Sequence, residues 1–126
     1  MKQRDVAIIG GGFAGLMAAI VCAKNGKEAS VFLYGSGSFP LNSGLIDLLG
    51  YDEAHTWVKD PLAAIEQLPA EHPYHRIGKA SIEEAAGFFL KLMEEEGFSY
   101  YGSVHEQQTV VTPVGTLKPS CLVPAS

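Results

Sequence analysis

Gly10-Gly11-Gly12-Phe13-Ala14-Gly15 fits the spacing G-x-G-x-x-G. The pattern carries chemistry only where a strand precedes it and a helix follows it. Gly10 permits the tight turn, Gly12 leaves room for a phosphate against the backbone, and Gly15 lets helix and strand pack closely. The N-terminus of the helix adds unpaired N–H groups and a positive dipole end. The expected chemistry is therefore phosphate binding within a dinucleotide site. In such sites an acid about 20 residues further on takes the ribose hydroxyls. It is missing here: Leu33, Tyr34 and Gly35 occupy the region, and Glu28 stands at the other end of that segment. No Arg replaces it for a 2′-phosphate.

Other chemistry is harder to place. His72 and His75 are separated by Pro73 and lack the further ligands of a zinc site, so no metal is expected. Glu94, Glu95 and Glu96 read as a solvated helix end, and Phe88 and Phe89 as core. No Ser-His-Asp set follows from spacing, and the catalytic residues stay unassigned.

The elements needed to position the glycines are legible. Val6–Ile9 is apolar throughout, as in a strand covered on both faces. Phe13–Asn25 reads as a helix without a polar face, hence buried, with Gly26 as its stop. Ala29–Tyr34 is a second strand. Together, residues 5–35 have the size and order of a right-handed βαβ unit. A loop follows at Gly35–Pro40 and Asn42–Gly44, then a short helical turn at Leu45–Leu49. Asp60-Pro61 reads as an N-cap and first position of a short helix ending near Leu68, and His72-Pro73-Tyr74 as irregular. Ser81 to Glu84 is a capping box. Ile82, Ala85, Ala86, Phe89, Leu92 and Met93 then form one apolar helix face, closed by Gly97. Phe98–Val104, Thr109–Val114 and Leu117–Val123 read as strands, with a turn at Pro113–Thr116. The fold class is α/β: the N-terminal part of a Rossmann-like dinucleotide- or flavin-binding domain, with a helical segment and a β-hairpin of an incomplete second region.

With 126 residues, 47% hydrophobic and 18% charged, the composition is that of one globular domain, not a disordered chain. The net charge of −5, with no basic cluster, argues against nucleic acid as partner. Cys22 and Cys121 fit reduced thiols, which points to the cytoplasm. The uncharged run Val6–Ala23 falls short of a membrane span of about 20 residues, and its glycines would break a signal helix. The apolar ending Ser120–Ser126 and the small number of parallel strands lead us to expect the front part, residues 1–126, of a longer protein.

Several segments together narrow the reading. Ser43-Gly44-Leu45-Ile46-Asp47-Leu48-Leu49 resembles the S-G-x-[LI]-D-L-L stretch of the B-subunit family of anaerobic glycerol-3-phosphate dehydrogenase. His72-Pro73-Tyr74 resembles its H-P-Y, and Val111–Leu117 its V-T-P-x-G-T-L, in the same order. The resemblance implies a flavin-dependent oxidoreductase that turns sn-glycerol 3-phosphate into dihydroxyacetone phosphate and passes electrons to quinone. It implies FMN, with FAD as the alternative. It also implies two partners, a flavoprotein (the A-subunit of the complex) and an iron–sulfur protein (the C-subunit), and peripheral attachment to the membrane through the complex. It adds Ser43 and Gly44 to Gly10–Gly15 as cofactor-binding candidates. The other readings are another FAD-dependent oxidoreductase of the fumarate-reductase type and an inactive nucleotide-binding fragment.

Overall fold

The computed structural model describes residues 3–37 and 39–125. Met1 and Lys2 of the basic start, Ser38 of the first loop and Ser126 of the apolar ending lie outside the described residues. The chain divides into two compact units, residues 1–43 and 44–126. The architecture is α/β.

The first unit is the βαβ element. β1 (Val6–Ile9) and β2 (Ala29–Phe32) pair in parallel, with Val6 opposite Ala29 and Ile9 opposite Phe32. Between them runs α1 (Phe13–Lys24). Gly26, at φ +68°, ends α1 with two reversed bonds: Gly26 N donates to Ala23 O at 3.0 Å and Lys27 N to Cys22 O at 2.9 Å. The burial expected of α1 and of both sheet faces is not found. No described residue of this unit is fully buried, Ile9 is 91% exposed, and Phe32 and Leu33 are more than half exposed. The cause is geometric: two strands and one helix cover one face of the pair only.

The second unit carries the core. α2 (Pro61–Ala64) is capped by Asp60, whose Oδ1 accepts from Ala63 N at 2.9 Å, and a 3-10 turn, Ile65–Gln67, extends it. α3 (Pro73–Ile77) replaces the irregular stretch expected there. The His72 imidazole caps it, Nδ1 accepting from Tyr74 N at 3.2 Å. α4 (Lys79–Glu95) begins two residues before Ser81, with Gly78 as its N-cap, so the capping box does not form. Gly97, at φ +80°, closes α4, and Phe98 N donates to Met93 O at 2.8 Å. Lys79 Nζ bonds Glu66 Oε1 at 2.6 Å and holds that carboxyl below its ordinary range.

β3 (Tyr100–Gly102), β4 (Gln108–Val111), β5 (Leu117–Ser120) and β6 (Leu122–Pro124) make two antiparallel pairs, β3 with β6 and β4 with β5. The single strand expected over Leu117–Val123 is thus two, broken at Cys121, each with its own partner. Leu62, Ile65, Phe89, Leu92, Cys121, Leu122 and Val123 are buried at the centre. Burial pushes the Cys121 thiol up, and the nearby Asp47 carboxylate pushes it further. No helix among the described residues is long and apolar enough to cross a membrane.

Candidate functional site

The glycines of the turn differ in why they are glycine. Gly10 has φ +106°, a backbone that side chains rarely adopt. Gly15 sits inside α1 against the turn. A Cβ there would stand 2.0 Å from Gly10 O and 3.4 Å from Ile8 Cγ2. Gly11 faces the residue after β2, and a Cβ on it would meet Leu33 Cδ2 at 1.7 Å. Gly12 is different. Its φ of −77° and ψ of −175° suit any residue, and a Cβ there would have nothing within 4 Å. Neither its backbone nor packing among the described residues demands glycine at position 12. Open space beside a helix start is what an approaching phosphate requires.

The electrostatics of α1 agree. Gly12 offers no side chain to cap the helix, and no acid stands in its first turn. The positive end of the helix dipole lies at this turn, where it favours an anion. Phe13 and Ala14 open α1, and Leu16 N donates to Gly12 O at 3.0 Å, so the helix is formed from its first residues. Gly10 N donates to Phe32 O at 2.9 Å, which ties the turn to the end of β2. All six residues from Gly10 to Gly15 are thus brought together in one strand–turn–helix corner.

Ser43 ends the first unit and Gly44 opens the second. Gly44 has φ +79°, and its carbonyl accepts from Tyr100 Oη at 2.9 Å. Tyr100 stacks edge-on against Phe89 at 5.1 Å, and burial raises its phenol pKa. The helical turn expected over Leu45–Leu49 is absent. Ile46 instead bridges Leu122, with Ile46 N donating to Leu122 O at 3.0 Å and Cys121 N to Ile46 O at 3.0 Å. Asp47 pairs with Lys118, and Gln107 Nε2 donates to Leu48 O at 3.2 Å and Leu49 O at 3.1 Å. Two segments that sequence analysis singled out separately, 44–49 and 117–122, therefore form one structural unit. The H-P-Y segment is a helix cap, and Thr112 and Thr116 clasp the β4–β5 turn, their hydroxyls 2.8 Å apart.

Sequence reading missed Leu33 on Gly11 and Tyr100 on Gly44. The first leaves a signal, the absent acid. The second leaves none, because its partners are 56 residues apart. Elsewhere in the second unit a cleft of about 540 Å³ lies between Trp57 and α2, bordered by Asp52, Glu53 and Asp60. Asp52 and Asp60 accept backbone N–H bonds from Thr56 and Ala63, which fixes the loop and the helix cap. No group of three or more His, Cys, Asp or Glu side chains among the described residues could hold a metal ion.

The chain is 36% identical to the B-subunit of anaerobic glycerol-3-phosphate dehydrogenase from Yersinia enterocolitica over 96% of its own length and 30% of that protein. It is 34% identical to the B-subunit from Pasteurella multocida over 97% of its length and 29% of that protein. The corresponding protein of Pectobacterium carotovorum is 33% identical over 95% and 29%. The chain thus spans about 30% of the length of the curated relatives it matches. No solved structure matches it. A family model described as FAD binding domain matches residues 5–126, and the chain belongs to that family.

Proposed function

We propose that this chain is the first part of a longer flavoprotein whose complex oxidises sn-glycerol 3-phosphate to dihydroxyacetone phosphate and passes the electrons to quinone. The supporting observation is Gly12, which starts α1 with a backbone that any residue can adopt and with open space at its Cβ position among the described residues, in a chain that is similar to B-subunit proteins along its length. In this reading Gly10–Gly15 hold the pyrophosphate of FAD at the start of α1, and Ser43 and Gly44 contact the cofactor. FMN, the other flavin, would bring a single phosphate to the same turn. Bound flavin supplies the redox chemistry, and the protein supplies binding, orientation and exclusion of water. The partners are a second flavoprotein and an iron–sulfur protein, which would hold the complex at the inner face of the membrane.

The exposed apolar residues Ile9, Phe32 and Leu33 support a larger domain around this unit. Residues 1–126 alone are therefore expected to be inactive. The test is to purify the complete gene product, record its absorbance by itself, and then measure glycerol-3-phosphate-dependent dye reduction after its partner proteins are added. Flavin bands are expected from the complete gene product and turnover from the complex, and neither from residues 1–126. A complete gene product without flavin, or a flavin-loaded complex inert towards glycerol 3-phosphate, would overturn the reading.

A further inference from the structure

We propose that Leu33 stands where nucleotide-binding βαβ units set a ribose-binding carboxylate, so that this chain leaves the adenosine ribose hydroxyls of a dinucleotide unread. The inference rests on the flavin reading above, with FAD as ligand. In such units the acid follows the second strand, beside the glycine turn. Here β2 ends at Phe32, whose carbonyl accepts from Gly10 N at 2.9 Å. The next residue, Leu33, covers Gly11, its Cδ2 1.7 Å from where a Gly11 Cβ would stand. An isobutyl group thus occupies the edge of the turn at which a carboxylate would take two hydroxyl protons.

No other acid of the first unit reaches that edge. Asp5 and Glu28 are the only carboxylates among residues 1–43. Both sit where the parallel strands begin. Asp5 Oδ2 accepts from Glu28 N at 2.9 Å, and Glu28 Oε2 pairs with Arg4 Nη1 at 2.7 Å. The strand between Glu28 and Leu33 sets them roughly 16 Å apart at about 3.3 Å per residue. That exceeds the reach of a glutamate side chain. Residues 29–46 contain no charged side chain, so a 2′-phosphate gains no cation either.

The chemical consequence is one of specificity. A site built to hydrogen-bond a hydroxyl rejects an analogue lacking it by large factors, because its own polar group is left unpaired. A leucine leaves nothing unpaired. The turn would then recognise the pyrophosphate through backbone, and the adenosine side through contact alone.

The experiment titrates the complete apoprotein with FAD and with its 2′-deoxyadenosine analogue, following flavin fluorescence. The wild type is expected to bind both with affinities within about twofold. Leu33→Glu is expected to prefer FAD by about tenfold, as a charge-assisted bond to the hydroxyl forms. Leu33 is 59% exposed, so a polar side chain there is compatible with folding. Should that variant be insoluble, Leu33→Gln, which also pairs with a hydroxyl, takes its place in the comparison. A wild type that prefers FAD by tenfold or more would overturn the inference while leaving the flavin reading intact. A substituted protein with no preference would overturn the placement of Leu33. A wild type that binds neither FAD nor its analogue would overturn the inference, and failure to bind FMN in a parallel titration would overturn the flavin reading as well.

Discussion

Replacing Gly15 with alanine is expected to cost on the order of 4 kcal/mol of folding stability, at the upper end of single substitutions. The added Cβ would lie 2.0 Å from Gly10 O and 3.0 Å from its carbonyl carbon. Real Cβ atoms do not approach so closely, and the obstacle is backbone, which has no other rotamer to adopt. Retreat is blocked as well, because Gly10 N is bonded to Phe32 O and Gly10 itself holds φ +106°. The close approach of helix to strand must therefore open, which breaks the turn and the contact of α1 with β1. Urea unfolding of the complete protein checks this. A midpoint unchanged from wild type would mean that α1 does not lie this close to the turn.

Gly102→Ala is expected to have an effect of similar size in the second unit, for two combined reasons. Gly102 holds φ +99°, and a side chain in that region costs about 1 kcal/mol or more. Its Cβ would also meet Cys121 O at 2.0 Å and Gln108 Cγ at 3.2 Å. Gly102 pairs with Leu122, and Cys121 is the residue at which β5 gives way to β6. Displacing that carbonyl therefore disturbs both antiparallel pairs and the segment bridged through Ile46. Thermal unfolding should show a large loss, or the variant should fail to accumulate as folded protein. By contrast Gly87, with nothing within 4 Å of its Cβ position, should accept alanine with a small gain from helix propensity, of up to about 1 kcal/mol.

The first unit was legible in sequence nearly to the residue, because its determinants are local. An apolar run, a glycine turn, a helix stopped by Gly26 and a second apolar run each carry their own signal, and the pairing of β1 with β2 follows from the right-handed crossover. What was misread there is burial, which depends on neighbours outside the unit. The second unit was less legible because its determinants are distant. Leu45–Leu49 has the apolar spacing of a helical turn, yet Ile46 pairs with Leu122, far along the chain. Tertiary pairing overrides local preference in such short segments. The Ser81 capping box lost to an earlier start at Gly78, since Lys79 and Ala80 are good helix formers and nothing stops them. The cap on α3 was missed because histidine seldom serves as one.

The candidate site follows the same division. Spacing alone singled out Gly10, Gly12 and Gly15, and geometry then separated their roles. Gly10 answers to backbone angle and Gly15 to packing, while Gly12 answers to neither. Ser43 and Gly44 came from resemblance. Gly44 has a structural reason of its own in its positive φ and in the Tyr100 bond to its carbonyl.

Gly12 therefore offers the most direct measurement of the central claim, that this corner holds the phosphates of a flavin nucleotide. The measurement is an equilibrium titration of the complete apoprotein with FAD, wild type against Gly12→Val, paired with a urea melt of each. A Cβ at that position meets nothing within 4 Å among the described residues, so valine should lower stability by no more than about 1 kcal/mol, the cost of a poorer N-cap, and both proteins should melt as folded species. The FAD affinity of the variant should fall by at least about thirtyfold, roughly 2 kcal/mol, because the side chain fills the space a phosphate needs against the backbone. Equal affinity for FAD in two folded proteins would contradict the claim and leave the turn a purely structural element.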